Sequence, residues 1–245
     1  MKPNLDELAP RVRALRPDLV VSWFWTNRIP RPIFEAAPFG GLNVHPSLLP
    51  RHRGADPYFW TIDSGDPITG VTAHRIDEHY DTGAIYAQRE MPVDPSWSAW
   101  TLARKLDRPS LALLRETVAR FARGEPPTAV PQDESRATDA PAPSDDDLVV
   151  QWKDTSDRIA RRIRAASPWP GMWAEIGHHP VLITRAEPTD DVPRALMPTE
   201  AAVVNGSVVV RTGDRGLRLI SGRDVDTDLE LGTKELASLI TLALG

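Results

Sequence analysis

The sequence predicts an α/β domain followed by a smaller β-rich one, and three observations predict it. Leu19-Val-Val-Ser-Trp-Phe-Trp25 is a near-continuous apolar run, as expected of a strand covered on both faces of a parallel sheet. Between residues 41 and 76, two alternating strand patterns flank a helical one. From Glu125 to Asp147 the composition shifts to Pro, Ser, Asp and Ala, and short strands with turns follow. The domains are accordingly read as 1–124, a linker over 125–147, and 148–245, in keeping with 245 residues and about 150 residues per domain.

The elements follow in order. Leu5, Leu8, Val12 and Leu15 have helical spacing over 4–16, with Asn4 and Glu7 placed as a capping box and Pro10 counting against it. After Pro17 comes the apolar strand, whose Trp23 and Trp25 are candidates for a pocket wall as much as for plain core. Residues 26–40 are a Pro-rich connection with a short helix around 32–37. In Gly41-Leu-Asn-Val-His45, Leu42 and Val44 alternate with Asn43 and His45 until Pro46 removes a ladder donor. Residues two apart on a strand share a face, so Asn43 and His45 project together, about 6–7 Å apart.

Asp56–Ser64 reads as a helix with Pro57 in its first turn and Gly65 just past its end. A strand over 70–76 runs into an acidic loop, and Asp81-Thr-Gly83 turns the chain into an antiparallel neighbour over 84–91. Residues 98–123 read as a helix broken at Pro109. In the last hundred residues, a helix over 155–166 points Ile159 and Ile163 inward and Arg158, Arg161, Arg162 and Arg164 largely outward. Val203-Val-Asn205-Gly206 is the strongest hairpin signal in the chain, within what reads as a small β-barrel or sandwich.

Composition narrows the chemistry. There is no cysteine, which removes disulfides, thiolate nucleophiles and Cys-type zinc sites and makes a cytoplasmic location the simplest expectation. No signal peptide and no membrane-spanning run are predicted. The 29 basic against 34 acidic residues, net charge −5, give no electrostatic footprint for nucleic acid or an anionic membrane. Phosphate-binding, dinucleotide-binding and nucleophile-elbow signatures are absent, so kinase, dehydrogenase and serine hydrolase readings fall away. His74, Asp77 and His79 are close in sequence, but alternation leaves Asp77 and His79 in the loop, and no metal is expected.

The series Asn43-x-His45-Pro-Ser-Leu-Leu-Pro50-x-x-Arg53-Gly54, then Gly70-Val-Thr, then Asp81-Thr-Gly83 resembles the folate-dependent formyltransferases, which act on methionyl-tRNA, on glycinamide ribonucleotide or on amino sugars. Leu102-Ala-x-Lys-Leu106, Gly124, Gln132 and Ser167-Pro-Trp-Pro-Gly171 extend the likeness over nearly the whole chain. It implies a Rossmann-like catalytic core followed by a β-barrel-like domain of the OB type. The family's core opens with a strand–helix–strand unit upstream of the equivalent of Arg16-Pro-Asp18, and here Met1 falls just before that point. The resemblance therefore implies either a start further upstream or a short chain.

The same resemblance implies a 10-formyltetrahydrofolate donor, with Ser47, Leu48, Leu49 and Pro50 binding the folate and Trp25, Asp77 and Glu78 around its pterin. Asn43 and a protonated His45 would stabilise the oxyanion of formyl transfer to an amine, and Asp81 would favour the imidazolium and relay the proton. The acceptor is expected to be a small or carrier-bound primary amine or hydroxylamine. Methionyl-tRNA is the alternative, disfavoured because residues from Leu148 onward carry 12 Lys and Arg against 13 Asp and Glu. A non-catalytic folate-binding remnant is the alternative of another class.

Overall fold

The computed structural model describes residues 5–25 and 27–242, which form two compact units. The first comprises residues up to Thr61, Asp66–Asp94 and Leu102–Ala142; the second comprises Ile62–Gly65, Pro95–Thr101 and the chain from Pro143. Asn4 of the expected capping box lies outside the described residues.

The first unit runs through helix α1 (Ala9–Leu15), strand β1 (Val20–Trp23), the single turn α2 (Arg31–Phe34) and strand β2 (Gly41–His45). Helix α3 (Pro57–Ser64), strands β3 (Ile68–Arg75) and β4 (Ile85–Pro92), and the long helix α4 (Ala99–Ala122) follow, α3 up to Thr61 and α4 from Leu102 belonging to this unit. The sheet order is β1-β2-β3-β4. Only β1 and β2 are parallel; β3 runs antiparallel to both its neighbours. Two expectations change here. Among the described residues β1 pairs with β2 alone, and Val21 is 44% exposed, so its face of the strand is not covered as the apolar run suggests. And α4 continues unbroken through Pro109. That proline forfeits an intrahelical bond at about 3 kcal/mol, but Leu102, Leu106, Leu113 and Phe121 form one buried stripe on both sides of it, each worth about 1.5–3 kcal/mol.

The segment expected to be a linker is divided. Its first part, to Ala142, belongs to the first unit. It is tied there by backbone pairing of Val130 with Ile85 and of Ala140 with Arg53, and by an Arg53 N–H bond to Thr138. Low hydrophobicity suggested a solvated strap; hydrogen bonds rather than apolar burial hold it.

In the second unit, helix α5 (Ser156–Ala165) starts at Thr155, whose hydroxyl caps the Arg158 N–H. Strands β5 (Met172–Ile176), β6 (His179–Thr189), β7 (Ala201–Val204), β8 (Ser207–Arg211), β9 (Gly216–Asp224) and β10 (Glu230–Leu231) form one antiparallel sheet, and α6 (Thr233–Leu242) closes the chain. Asn205 and Gly206 both have positive φ, as a two-residue hairpin turn demands. Val208, Val209 and Val210 are all buried because β8 is covered on both faces, with α6 packed on it.

The arginines of α5 depart from expectation: only Arg158 is largely exposed, ion-paired with Asp154. Arg162 grips Asp63 through two bonds of 2.8 and 2.6 Å, Arg161 leans on the Asp63 carbonyl, and burial draws the Arg164 guanidinium below its ordinary pKa. Among the described residues, no helix is long and apolar enough to cross a membrane.

Candidate active site

Asn43 and His45 leave β2 on one face, at the strand's carboxyl end, and open into a cavity of about 710 Å³ within the first unit. Register explains their nearest neighbour. Asn43 lies directly opposite His74 on β3, which brings the two side chains together, with Asn43 Nδ2 3.1 Å from His74 Nε2. His74 Nδ1 is 2.8 Å from the Arg75 carbonyl and so carries the proton, leaving Nε2 to accept the amide hydrogen.

Asp81 arrives from the loop after β3, in the left-handed conformation. Its Oδ2 accepts the Gly54 N–H at 3.0 Å and lies 3.4 Å from His45 Nδ1. Its Oδ1 lies 3.4 Å from both His74 Nε2 and Asn43 Nδ2. Two glycines permit this convergence. A Cβ on Gly83 would sit 1.8 Å from the Arg75 carbonyl oxygen, and Gly54, at φ 127°, brings its backbone so close to the Ala140 carbonyl that a Cβ would meet it at 2.7 Å.

The electrostatics correct one expectation. Burial lowers the pKa of His45, and the Asp81 charge and the His52 carbonyl only partly restore it. The resting imidazole is therefore neutral near pH 7 rather than held protonated. Burial pushes the Asp81 carboxyl up, but its polar surroundings, among them the Gly54 N–H that it accepts, hold its pKa below the ordinary carboxylate value, so Asp81 stays ionised.

Trp25, Asp77, Asn43, His45 and Asp81 all line the cavity, beside Phe24, Ile29, Ile76 and Tyr80. Trp23 is not among the lining residues but stands behind two of them, donating its indole N–H to Ser110 at 2.7 Å and packing on Phe24. Asp77 braces the loop by accepting from Thr82 Oγ1 and the His79 N–H. Glu78 is not among the lining residues; it pairs with Arg31 on the exposed side of the loop.

Ser47, Leu48, Leu49 and Pro50 are not among the residues lining the cavity, which their neighbour Pro46 borders. Ser47 Oγ donates to the Arg51 carbonyl, the Leu49 N–H donates to Thr72 Oγ1, and Ser47 and Leu49 are buried. In this chain they form the packed turn behind Asn43 and His45. Among the described residues, no group of three or more His, Asp or Glu side chains has the geometry to hold a metal ion.

Three contributors carried little sequence signal as site residues. His74 orients Asn43. Arg53, with its side chain 9% exposed, bonds Gln132 Oε1 at 3.1 and 2.8 Å, and Gln132 Nε2 donates to the carbonyls of Asp81 and Gly83 at 2.7 and 2.8 Å. Strand alternation at His74 offered a signal, whereas Arg53 and Gln132 were marked only by the family resemblance, which gave them no role.

Residues 2–118 match the family described as formyl transferase, and residues 144–225 match the formyl transferase C-terminal domain. The chain is 33% identical over 210 residues to a methionyl-tRNA formyltransferase of Koribacter versatilis, covering 86% of this chain and 66% of that one. A methionyl-tRNA formyltransferase of Desulfotalea psychrophila is 37% identical over 172 residues, 70% of this chain and 53% of its own length. The chain thus spans about two thirds or less of these relatives. Among solved structures, HypX from Aquifex aeolicus in complex with tetrahydrofolic acid has a TM-score of 0.72 at 23% identity, over 97% of this chain and 41% of that one. An N-formyltransferase from Helicobacter canadensis in complex with folinic acid and dTDP-3-aminofucose has a TM-score of 0.63 at 18% identity, over 82% and 72% of the two chains. With both formyl transferase models matched in order along its length, the chain belongs to the formyl transferase family.

Proposed function

We propose that this chain transfers a formyl group from 10-formyltetrahydrofolate to an amine. The observation that carries the reading is the convergence of Asn43, His45 and Asp81 on one cavity. Its volume falls in the range of about 300–1,000 Å³ usual for small-ligand sites, and the Trp25, Ile29 and Ile76 walls suit a flat heteroaromatic ring.

In this reading the amine attacks the formyl carbon, a C–N bond forms, and the carbonyl oxygen becomes an oxyanion. Asn43 meets that charge with its amide N–H, exchanging the long 3.4 Å contact to Asp81 for a shorter one. The Asp81–His45 pair accepts the ammonium proton: His45 Nδ1 takes it with the adjacent carboxylate compensating the charge. Collapse of the tetrahedral adduct breaks the bond to N10, and the same proton goes to that nitrogen. The products are a formamide and tetrahydrofolate, with atoms and charge balanced. Because His45 rests neutral, it is ready to accept this proton.

A small or carrier-bound amine or hydroxylamine is the preferred acceptor, since the arginines that would make a basic face on α5 are engaged with Asp63 or half-buried. Methionyl-tRNA is the second reading, favoured by the names of the two relatives. Mixing the purified chain with 10-formyltetrahydrofolate and a panel of amines, amino sugars and charged initiator tRNA tests both. Tetrahydrofolate release dependent on an amine supports the reading, and none with any acceptor overturns it.

A further inference from the structure

The turn behind the site holds a second histidine with an unusual posture. His52 is in the left-handed conformation, φ 61°, which side chains other than glycine adopt when their surroundings impose it. Its backbone N–H donates to Thr138 Oγ1 at 2.9 Å, and its ring Nε2 donates to Asp66 Oδ2 at 2.8 Å. Arg51 clamps the same carboxylate, Nε to Oδ2 at 2.7 Å and Nη2 to Oδ1 at 2.6 Å. Burial pushes the Asp66 carboxyl up, but its bonds from His52 and Arg51 bring it down to about 2, so it is an ionised acceptor at any working pH.

With ring and amide both tied, the His52 carbonyl has one direction, and it accepts His45 Nε2–H at 2.8 Å. A carbonyl only accepts. The contact therefore selects the Nε2–H tautomer of His45 and leaves Nδ1 as the nitrogen facing Asp81. The other nitrogen of His52, Nδ1, is buried with no hydrogen-bond partner. A phenyl ring would fill the same volume without that orphaned nitrogen, so what the imidazole adds is its bond to Asp66.

We propose that His52, braced by Asp66 and Arg51, is a positioning residue that sets the tautomer and ring orientation of His45. The effect on rate rests on the formyl-transfer reading; the effect on the tautomer does not. Outer partners of functional histidines act in this way elsewhere, one ring nitrogen held so that the other is presented for chemistry.

The test labels histidine with nitrogen-15 and reads the ring nitrogens of His45 by long-range nitrogen–proton correlation, the signal being assigned by its loss in His45→Ala. The wild-type chain shows the Nε2–H pattern above the pKa of the ring. His52→Phe and Asp66→Asn mix in the Nδ1–H tautomer, and each lowers kcat about tenfold with KM within about twofold, the scale on which losing an outer partner of a histidine is felt. Arg51→Ala moves both readouts the same way by less. It also covers the case in which His52→Phe fails to fold, because the Arg51 side chain is 43% exposed and its loss leaves the core intact. An unchanged Nε2–H pattern with wild-type kcat in the folded variants overturns the proposal. A tautomer change in a chain whose wild type transfers no formyl group supports the positioning role and overturns the functional reading instead.

Discussion

Gln132→Ala is the perturbation that separates a solvated linker from a structural strap. The side chain makes four contacts: Nε2 to the Asp81 and Gly83 carbonyls at 2.7 and 2.8 Å, and Oε1 from the Arg53 guanidinium at 3.1 and 2.8 Å. Neutral bonds of this kind contribute about 0.5–1.5 kcal/mol net, and bonds from a charged donor about 1.5–3 kcal/mol. Arg53 keeps its two bonds to Glu134, and water can reach part of the vacated space, so the loss is roughly 2–4 kcal/mol rather than the full sum. The Asp81 turn also loses its tie to the strap, so kcat falls about tenfold, the penalty of misplacing a group that must sit within hydrogen-bond reach. Urea unfolding followed by tryptophan fluorescence gives the first quantity, and amine-dependent tetrahydrofolate release gives the second. A variant within about 0.5 kcal/mol of the parent, as surface substitutions are, and with full turnover would refute the strap's role.

The remaining expectations follow from the site and the charge distribution. Asn43→Ala and His45→Ala each lower turnover by about two to three orders of magnitude while equilibrium binding of the folate is kept, because both act on the transition state; near-parental kcat in either removes that residue from the chemistry. In Asp81→Asn, His45 loses the charge that partly offsets its burial, so its pKa falls further. The limb of the rate–pH profile that reports His45 then moves to lower pH, and a profile unmoved with full rate places Asp81 outside the site. Formylation of the true acceptor changes little between low and moderate salt, whereas about 6–10 phosphate contacts to a tRNA would weaken binding by about 10³–10⁵. Efficient, steeply salt-dependent formylation of charged tRNA would establish the second reading.

Local patterns made much of the first unit legible. Period-two alternation placed Asn43 and His45 on one face of Gly41–His45, and the observed strand has those bounds. Pro57 and Gly65 marked the ends of α3, and Asn205-Gly206 marked a hairpin, since each residue type acts within a few positions of itself. Alternation made the shared face of Asn43 and His45 legible, whereas Asp81 and the role of all three as candidate catalytic residues came from the family resemblance.

What the tertiary structure decided depends on partners far away in sequence. The sense of β3 against β2 and the continuity of α4 through Pro109 follow from packing, which along α4 outweighs local preference by several kcal/mol. The Pro- and Ser-rich stretch after Glu125 reads as linker because hydrogen bonds to Arg53, Asp81 and Ile85 impose no period on it. The protonation state of His45 reversed for a comparable reason. Proximity of a carboxylate is visible in a motif, but the burial that outweighs it is a property of the assembled core.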